Sequence, residues 1–241
     1  MDKVLEICCY SPTAAKMAQE AGAGRIELCD NPGEGGTTPS YGVLYQVRRN
    51  LSIPVFPIIR PRGGHFVFSD DEINIMANDI LLCKNIGFEG VVIGLLNENG
   101  GIDKENTAKL VQLAWPMEVT FHRAFDRVRD PFEALEAIIE AGCNRILTSG
   151  QAPTASLGLD LIIELTKAAD KRIIIMPGSG IRANNIRRLA LETGLREFHS
   201  SAGVQVPAPY YVPVTMQESI IEVGVDPNEI KAMLQGLNEI D

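Results

Sequence analysis

Polar side chains recur at every second position in several short apolar runs of this sequence. They are Glu6 with Cys8, Arg25 with Glu27 and Cys29, Arg60 with Arg62, Thr120 with His122, and His199 with Ser201, and Ser149 stands in the same way two residues after the apolar Leu147. The residues between them, such as Ile7 and Phe121, are apolar. Because successive side chains of a strand point to opposite faces, each run would place its polar members on one face. The spacing therefore predicts a buried cup of carboxylates, arginines, thiols and imidazoles.

One chemistry that such a cup supports is proton transfer. Imidazole, the side chain of His122 and His199, ordinarily titrates near neutral pH, and the pKa of a desolvated carboxylate can be raised towards the same range. The candidate partners are Glu6, Glu27 and Asp126. This set is typical of an isomerase, an epimerase or a lyase. The alternative is that Glu6 and Glu27 belong to an internal network of paired charges, since isolated buried ions are very costly.

A second chemistry is the binding of an anionic or phosphorylated small molecule. Arginine side chains and the backbone N–H groups of glycine-rich loops are the donors that bind such groups. The candidates are Arg60, Arg62, Arg123, Ser149, Gly178, Gly180 and Ser201. Ordinary tight turns would explain the glycines equally well.

The elements that position these residues alternate between strand and helix. The predicted strands are 4–8, 25–29, 54–60, 90–93, 118–122, 145–149, 172–176 and 197–201. Helices between consecutive strands imply parallel pairing through right-handed crossovers. Eight such units in this length predict an α/β fold, a single (β/α)8 TIM barrel, with a doubly wound open sheet as the alternative. In a barrel, ligands bind at the carboxyl ends of the strands.

The chain shows no internal linker, so we expect a single domain over residues 1–241. Residues 204–225 are rich in proline and tyrosine and are predicted to be irregular, and a final helix is predicted over 226–237. The apolar members of that segment are Pro207, Pro209, Tyr210, Tyr211 and Pro213. They resemble an oligomer interface, which suggests a homo-oligomer, a dimer or a tetramer. Packing against the barrel of the same chain is the alternative.

Composition limits the partners of the protein. The 241 residues carry a net charge of −9 at a sequence pI near 4.9, which argues against nucleic acid as a partner. No apolar run approaches the roughly 18 residues of a membrane span, so no membrane association is expected. Five scattered cysteines, an odd number, do not resemble a disulfide framework. A reducing, cytoplasmic location is the simplest expectation.

Several longer strings are similar to those of one known family. They are Glu27 to Cys29, Gly35 to Ser40, Ile59 to Gly64, Val119 to Asp126, Leu147 to Gly150 and Glu197 to His199. In this order they resemble the CutC family of copper homeostasis proteins, over residues 1 to about 203. The resemblance implies a cytoplasmic TIM barrel, often oligomeric, that is proposed to bind copper. It also implies that Cys8 and Cys29 are the copper ligands.

The residues themselves support that implication in part. Cys8 and Cys29 share the inward face of neighbouring predicted strands, and soft thiolates suit Cu(I). Free cysteine is also among the most buried residue types, so plain packing is the alternative for Cys8 and Cys29. For Cys9, Cys83 and Cys143, plain packing is the prediction. The favoured hypothesis is a copper homeostasis protein that binds Cu(I) through these thiols. The alternative hypothesis is an enzyme acting on a small anionic or phosphorylated substrate.

Overall fold

Eight parallel strands alternate with helices in the computed structural model, which describes residues 3–207, Thr215 and residues 221–240. The strands are β1 (Val4–Cys9), β2 (Arg25–Leu28), β3 (Val55–Pro57), β4 (Gly90–Ile93), β5 (Glu118–Phe121), β6 (Arg145–Thr148), β7 (Ile174–Pro177) and β8 (Glu197–Ser200). The helices are α1 (Pro12–Glu20), α2 (Tyr41–Asn50), α3 (Asp70–Ile86), α4 (Lys104–Ala114), α5 (Pro131–Ala141), α6 (Leu159–Ala169), α7 (Ile186–Thr193) and α8 (Pro227–Asn238).

The strands form two parallel sheets that together make the wall of a TIM barrel. One has the order β3-β2-β1-β8 and the other β4-β5-β6-β7. A parallel bridge between Ile58 and Val92 joins them on one side, where the Ile59 amide donates to the Val92 carbonyl at 2.8 Å. On the other side, a Cβ at Gly178, just after β7, would lie 3.3 Å from the His199 Cβ on β8. The predicted α/β barrel is confirmed.

Local signals set where the helices begin. Ser11 accepts a hydrogen bond from the Ala14 amide ahead of Pro12, and Ser69 and Glu72 form a reciprocal capping box at the start of α3. Asp130 accepts from the Phe132 and Glu133 amides in the same way. None of the helices in the described part of the chain is long and apolar enough to cross a membrane.

The core has two layers, divided by strand parity. Alternate strand residues such as Leu5, Ile7 and Phe121 pack with the helices in one large apolar cluster. The opposite residues face the barrel interior, where a small cluster of Cys8, Cys29, Phe56, Ile58 and Val92 is buried. The residues predicted to face the helices are therefore apolar and buried, whereas the inward face carries apolar residues as well as the predicted polar ones.

The amino-terminal end of the barrel is closed by a buried ion network. Arg25 pairs with Glu6 and, at 2.7 Å, with Glu197, which also binds Arg145 at 2.9 Å. The Phe56 ring lies against both guanidinium groups, 5.1 Å from Arg25 and 5.3 Å from Arg145. Glu6 is thus paired with Arg25 rather than with the arginines nearer the carboxyl ends. This arrangement matches the network alternative for Glu6.

The segment after β8 departs from the sequence-based expectation. Residues 204–225 were predicted to be irregular, but β9 (Gly203–Pro207) and β10 (Ile221–Val225) form an antiparallel pair. Proline is compatible with this because Pro207 stands at the end of its strand, where a missing N–H costs little. The predicted interface residues Pro209, Tyr210, Tyr211 and Pro213 lie outside the described residues. After β10, Asp226 caps α8 and its amide donates to the Ala202 carbonyl at 2.8 Å.

Candidate functional site

A cavity of about 340 Å³ opens at the carboxyl ends of the strands. It is lined by Cys8, Tyr10, Glu27, Gly35, Ile58, Arg60, Phe66, His122, Arg123, Leu147, Ser179, Gly180, Ile181, Arg182, His199, Ser200 and Ser201. The inward residues of β1, β2 and β8 contribute Cys8, Glu27 and His199. Loops that follow the strands contribute the arginines. This is the end of the barrel at which ligands bind.

Two thiols and a carboxyl group meet at the base of this cavity. The Cys8 and Cys29 sulfurs lie 3.7 Å apart, and a Glu27 carboxylate oxygen lies with them within 4.8 Å. All three residues are buried. The parallel register of β1 and β2 pairs Cys8 with Glu27 and so brings these side chains together. The hydrogen bond between the sulfurs lowers the pKa of Cys8 despite burial, whereas burial raises the pKa of Cys29 and of Glu27. Cys8 is therefore the more acidic of the two thiols in this cluster.

A chain of acid and base groups runs from this cluster towards the closed end of the barrel. His199 Nδ1 lies 2.7 Å from a Glu6 oxygen, and its Nε2 lies 3.7 Å from a Glu27 oxygen. Burial raises the pKa of Glu6, but Arg25 and His199 outweigh it and hold that pKa at about 2. Burial lowers the pKa of His199, but its bond to Glu6 and the charge of Glu27 raise it overall. Glu6 is therefore the ionised partner that helps to raise the pKa of the imidazole.

His122 is a neutral hydrogen-bond donor. Its Nδ1 accepts from the Ala124 amide at 3.1 Å, which places the ring proton on Nε2. The Nε2 atom is buried and has no hydrogen-bond partner. Burial, reinforced by the charge of Arg60, lowers the pKa of His122 to about 3. The ring packs against Phe66, with centroids 4.9 Å apart, so its direction is fixed.

Arg60 is a buried cation held by backbone carbonyls. Its Nη1 donates to Glu34 O at 2.7 Å and to Gly36 O at 2.9 Å, and its Nη2 donates to Gly64 O at 2.8 Å. The guanidinium stacks on Phe66 at 4.7 Å. Its Nε is buried without a partner. Within the described ranges, Arg60 forms no ion pair with a carboxylate.

Asp126 holds the loop that follows β6. Its carboxylate accepts from the Thr148 hydroxyl at 2.5 Å, from the Ser149 amide at 3.0 Å and from Arg123 Nε at 2.7 Å. Arg123 Nη2 also donates to the Ser149 hydroxyl at 2.8 Å. Of these four residues, only Arg123 lines the cavity. The geometry gives Asp126 and Ser149 a positioning role for Arg123.

The structure brings most of the predicted site residues together and leaves some apart. Gly180 and Ser201 line the cavity, but Gly178 lies behind it against Leu147. Arg62 lies outside the cavity, where its Nη2 binds Glu72 at 3.2 Å and the Val67 carbonyl at 2.9 Å. Arg62 was expected to lie in the cavity beside Arg60, and this prediction is wrong. Strand β3 ends at Pro57, so strand alternation does not set the direction of the Arg62 side chain.

Sequence reasoning missed several lining residues. Phe66, Tyr10 and Arg182 come from loops, and their direction depends on tertiary folding rather than on spacing. Glu27 was expected to be an acid or base and not a metal ligand. The signal for the ligand role was present, since Glu27 and Cys29 are two residues apart and so share one face of a strand.

Comparisons with known proteins agree on one family. The sequence model of the CutC family matches residues 3–204. A CutC family protein of Chromobacterium violaceum is 52% identical over 206 residues, which cover 86% of this chain and 83% of that protein. A crystal structure described as copper homeostasis protein CutC from Streptococcus agalactiae superposes with a TM-score of 0.79 at 34% identity, covering 83% of this chain and 98% of that one.

More distant structures share the fold alone. Phosphoribosylanthranilate isomerase from Thermotoga maritima superposes over 100% of both chains with a TM-score of 0.62 at 14% identity. Its likeness supports the TIM-barrel architecture.

Proposed function

Since the chain belongs to the CutC family, we propose that it acts in copper homeostasis by binding Cu(I) at the cluster of Cys8, Glu27 and Cys29. The observation that carries the proposal is the placement of two thiol sulfurs 3.7 Å apart beside a buried carboxylate. Copper is the cargo of this site. The name of the Streptococcus agalactiae relative points to the same role.

The donor set suits a soft ion. Cu(I) prefers thiolate ligands, and metal–sulfur bonds of about 2.3 Å to sulfurs 3.7 Å apart imply a bent S–Cu–S angle of about 110°. A bent pair leaves a third position open, and the Glu27 oxygen lies on the same cluster. The lowered pKa of Cys8 makes it the easier of the two thiols to deprotonate when a metal binds.

The surroundings of the cluster favour delivery and release. Cys8 and Glu27 line the cavity, so an ion reaches them from the open end of the barrel. His199 lies next to Glu27 and can take up a proton displaced by the metal. A two-thiol site at the base of an open cavity fits a protein that binds copper reversibly.

An anaerobic Cu(I) titration against a competing chromogenic chelator tests the proposal. We expect the wild type to bind one Cu(I) per chain. The Cys8→Ser, Cys29→Ser double variant should bind at least about 100-fold more weakly, because even the loss of an outer-shell partner costs about 10–100-fold. A parallel titration with Zn²⁺ should show weaker binding than Cu(I).

Cys9→Ser is the matched control for this titration. Cys9 is buried and adjacent to Cys8, but it faces the apolar layer under the helices. It should keep the wild-type affinity for Cu(I). Equal affinity of the wild type and the double variant, or tighter binding of Zn²⁺ than of Cu(I), would remove the copper proposal.

The expected location and assembly remain part of the proposal. All five cysteines are free thiols, which supports a reducing, cytoplasmic environment. The family resemblance and the Pro/Tyr-rich segment support a homo-oligomer, a dimer or a tetramer. Sedimentation velocity of the full chain should give a mass of at least twice 26.2 kDa. A monomer at micromolar concentration would contradict this expectation.

A further inference from the structure

Two buried N–H donors in the cavity have no acceptor in the protein. They are Nε of Arg60 and Nε2 of His122, the two buried side-chain polar atoms without a partner in the described part of the chain. Arg60 is 3% exposed and His122 5% exposed, and both side chains line the cavity. A buried donor without an acceptor destabilises the fold, and more so when the donor is charged. Proteins keep such unpaired donors at sites where a bound ligand supplies the missing acceptor.

The charge around these donors is positive although the whole chain is acidic. Arg60, Arg123 and Arg182 line the cavity, against one carboxyl group, that of Glu27. Arg123 is neutralised by Asp126 at 2.7 Å, but Arg60 has no such partner in the described ranges. Arg127 adds a further cation on the Phe66 ring at 4.9 Å. The cavity of a protein with net charge −9 thus attracts an anion.

We propose that this cavity binds the carboxylate group of a small organic acid, with one oxygen accepting from Arg60 Nε and the other from His122 Nε2. Both terminal nitrogens of Arg60 are occupied by backbone carbonyls, so only its Nε–H remains for a ligand. Two single donors match the two oxygens of a carboxylate.

The number of free donors also favours a carboxylate over a phosphate, because two N–H groups match two oxygens and leave a third phosphate oxygen without a donor. Arg60 contributes one positive charge, whereas His122 is neutral because burial and the charge of Arg60 hold its pKa at about 3. Glu27 and His199 line the same cavity, so a bound acid shares it with the two groups most able to move a proton. The site uses neither thiol and does not depend on the copper proposal.

Ligand-induced thermal stabilisation of the metal-free full chain tests the site. The probes are acetate, pyruvate and inorganic phosphate, each compared with chloride at equal ionic strength. We expect acetate and pyruvate to raise the melting temperature more than phosphate does. His122→Phe and Arg60→Gln, each measured against its own ligand-free melting temperature, should weaken pyruvate binding about tenfold or more. His122→Phe keeps the ring packing on Phe66, so it still tests the site if Arg60→Gln does not fold.

Arg62→Gln is the matched control, because Arg62 lies on the same loop but points to Glu72. It should keep the wild-type response, as should the Cys8→Ser, Cys29→Ser variant. The proposal would be overturned if carboxylates do not raise the melting temperature of the wild type, or if phosphate raises it more. It would also be overturned if both His122→Phe and Arg60→Gln keep the full rise. Loss of copper binding with retained carboxylate binding would leave this site intact, so the two proposals fail separately.

Discussion

Replacing Glu197 by alanine is expected to lower the free energy of unfolding by about 3–5 kcal/mol. The Glu197 carboxylate bridges Arg25 at 2.7 Å and Arg145 at 2.9 Å, and its side chain is 14% exposed. Removing it leaves two buried guanidinium groups short of a counter-charge, which is the costly way to break a buried ion pair. Urea unfolding with an unchanged m-value would measure the loss.

Glu118→Ala is the control for this substitution. Glu118 binds the same Arg145 guanidinium at 2.9 Å, but its side chain is 49% exposed. Its removal should cost less than about 1 kcal/mol, since water screens an exposed pair. A similar loss in both variants would show that burial of the network does not set its contribution.

The same network predicts that the free energy of unfolding falls at acid pH. Burial raises the pKa of Glu197, but Arg145 and Arg25 lower it overall, and Glu6 is held at about 2. Carboxyl groups with a lowered folded-state pKa stabilise the fold above their ordinary pKa, near 4.5, and lose that contribution as the pH falls through the folded-state value. Stability should therefore fall between about pH 5 and pH 2, and less steeply in Glu197→Ala.

Gly94→Ala should cost about 3 kcal/mol and displace His122. A Cβ at position 94 would lie 2.2 Å from two atoms of the His122 ring. The ring cannot move aside freely, because it packs against Phe66 and its Nδ1 binds the Ala124 amide. Overpacking of this kind costs about 1–3 kcal/mol, with the larger values where the neighbours are rigid. Chemical denaturation would measure the loss of stability, and the rise in melting temperature with pyruvate would report the displacement of His122.

Gly42→Ala is the matched control. Gly42 is an exposed residue near the start of α2, and the nearest neighbour of its added Cβ is the Ser40 hydroxyl at 4.0 Å. Alanine there should leave stability unchanged or raise it by about 0.4–1 kcal/mol. Unchanged stability and pyruvate binding in Gly94→Ala would contradict the placement of His122.

Strand alternation explains how much of the site could be predicted from the sequence. Period-two spacing placed Cys8, Glu27 and Cys29 on one inward face, and β1 and β2 hold them there. It placed His122 at the end of β5 and His199 on β8 in the same cavity. The pattern was informative because parallel strands of a barrel bury both faces, so a polar residue in such a strand needs a reason.

Other features depend on tertiary contacts that spacing does not encode. Arg62 was expected in the cavity but turns to Glu72, because the residues after β3 follow a loop rather than a strand. Phe66 reaches the cavity from that loop and fixes Arg60 and His122, which no local pattern indicates. The unpaired state of two donors is likewise a property of the packed structure. These two donors can be recognised as unpaired only in the folded structure, where the acceptors around them are known.

Copper K-edge X-ray absorption of the protein loaded with one equivalent of Cu(I) tests the central proposal most directly. Binding at Cys8 and Cys29 predicts two sulfur scatterers at about 2.3 Å, with a third, lighter scatterer from Glu27. Cys29→Ser should then show one sulfur, and Glu27→Gln should keep both. A shell of nitrogen and oxygen alone, or a shell that Cys29→Ser leaves unchanged, would contradict copper binding at this cluster.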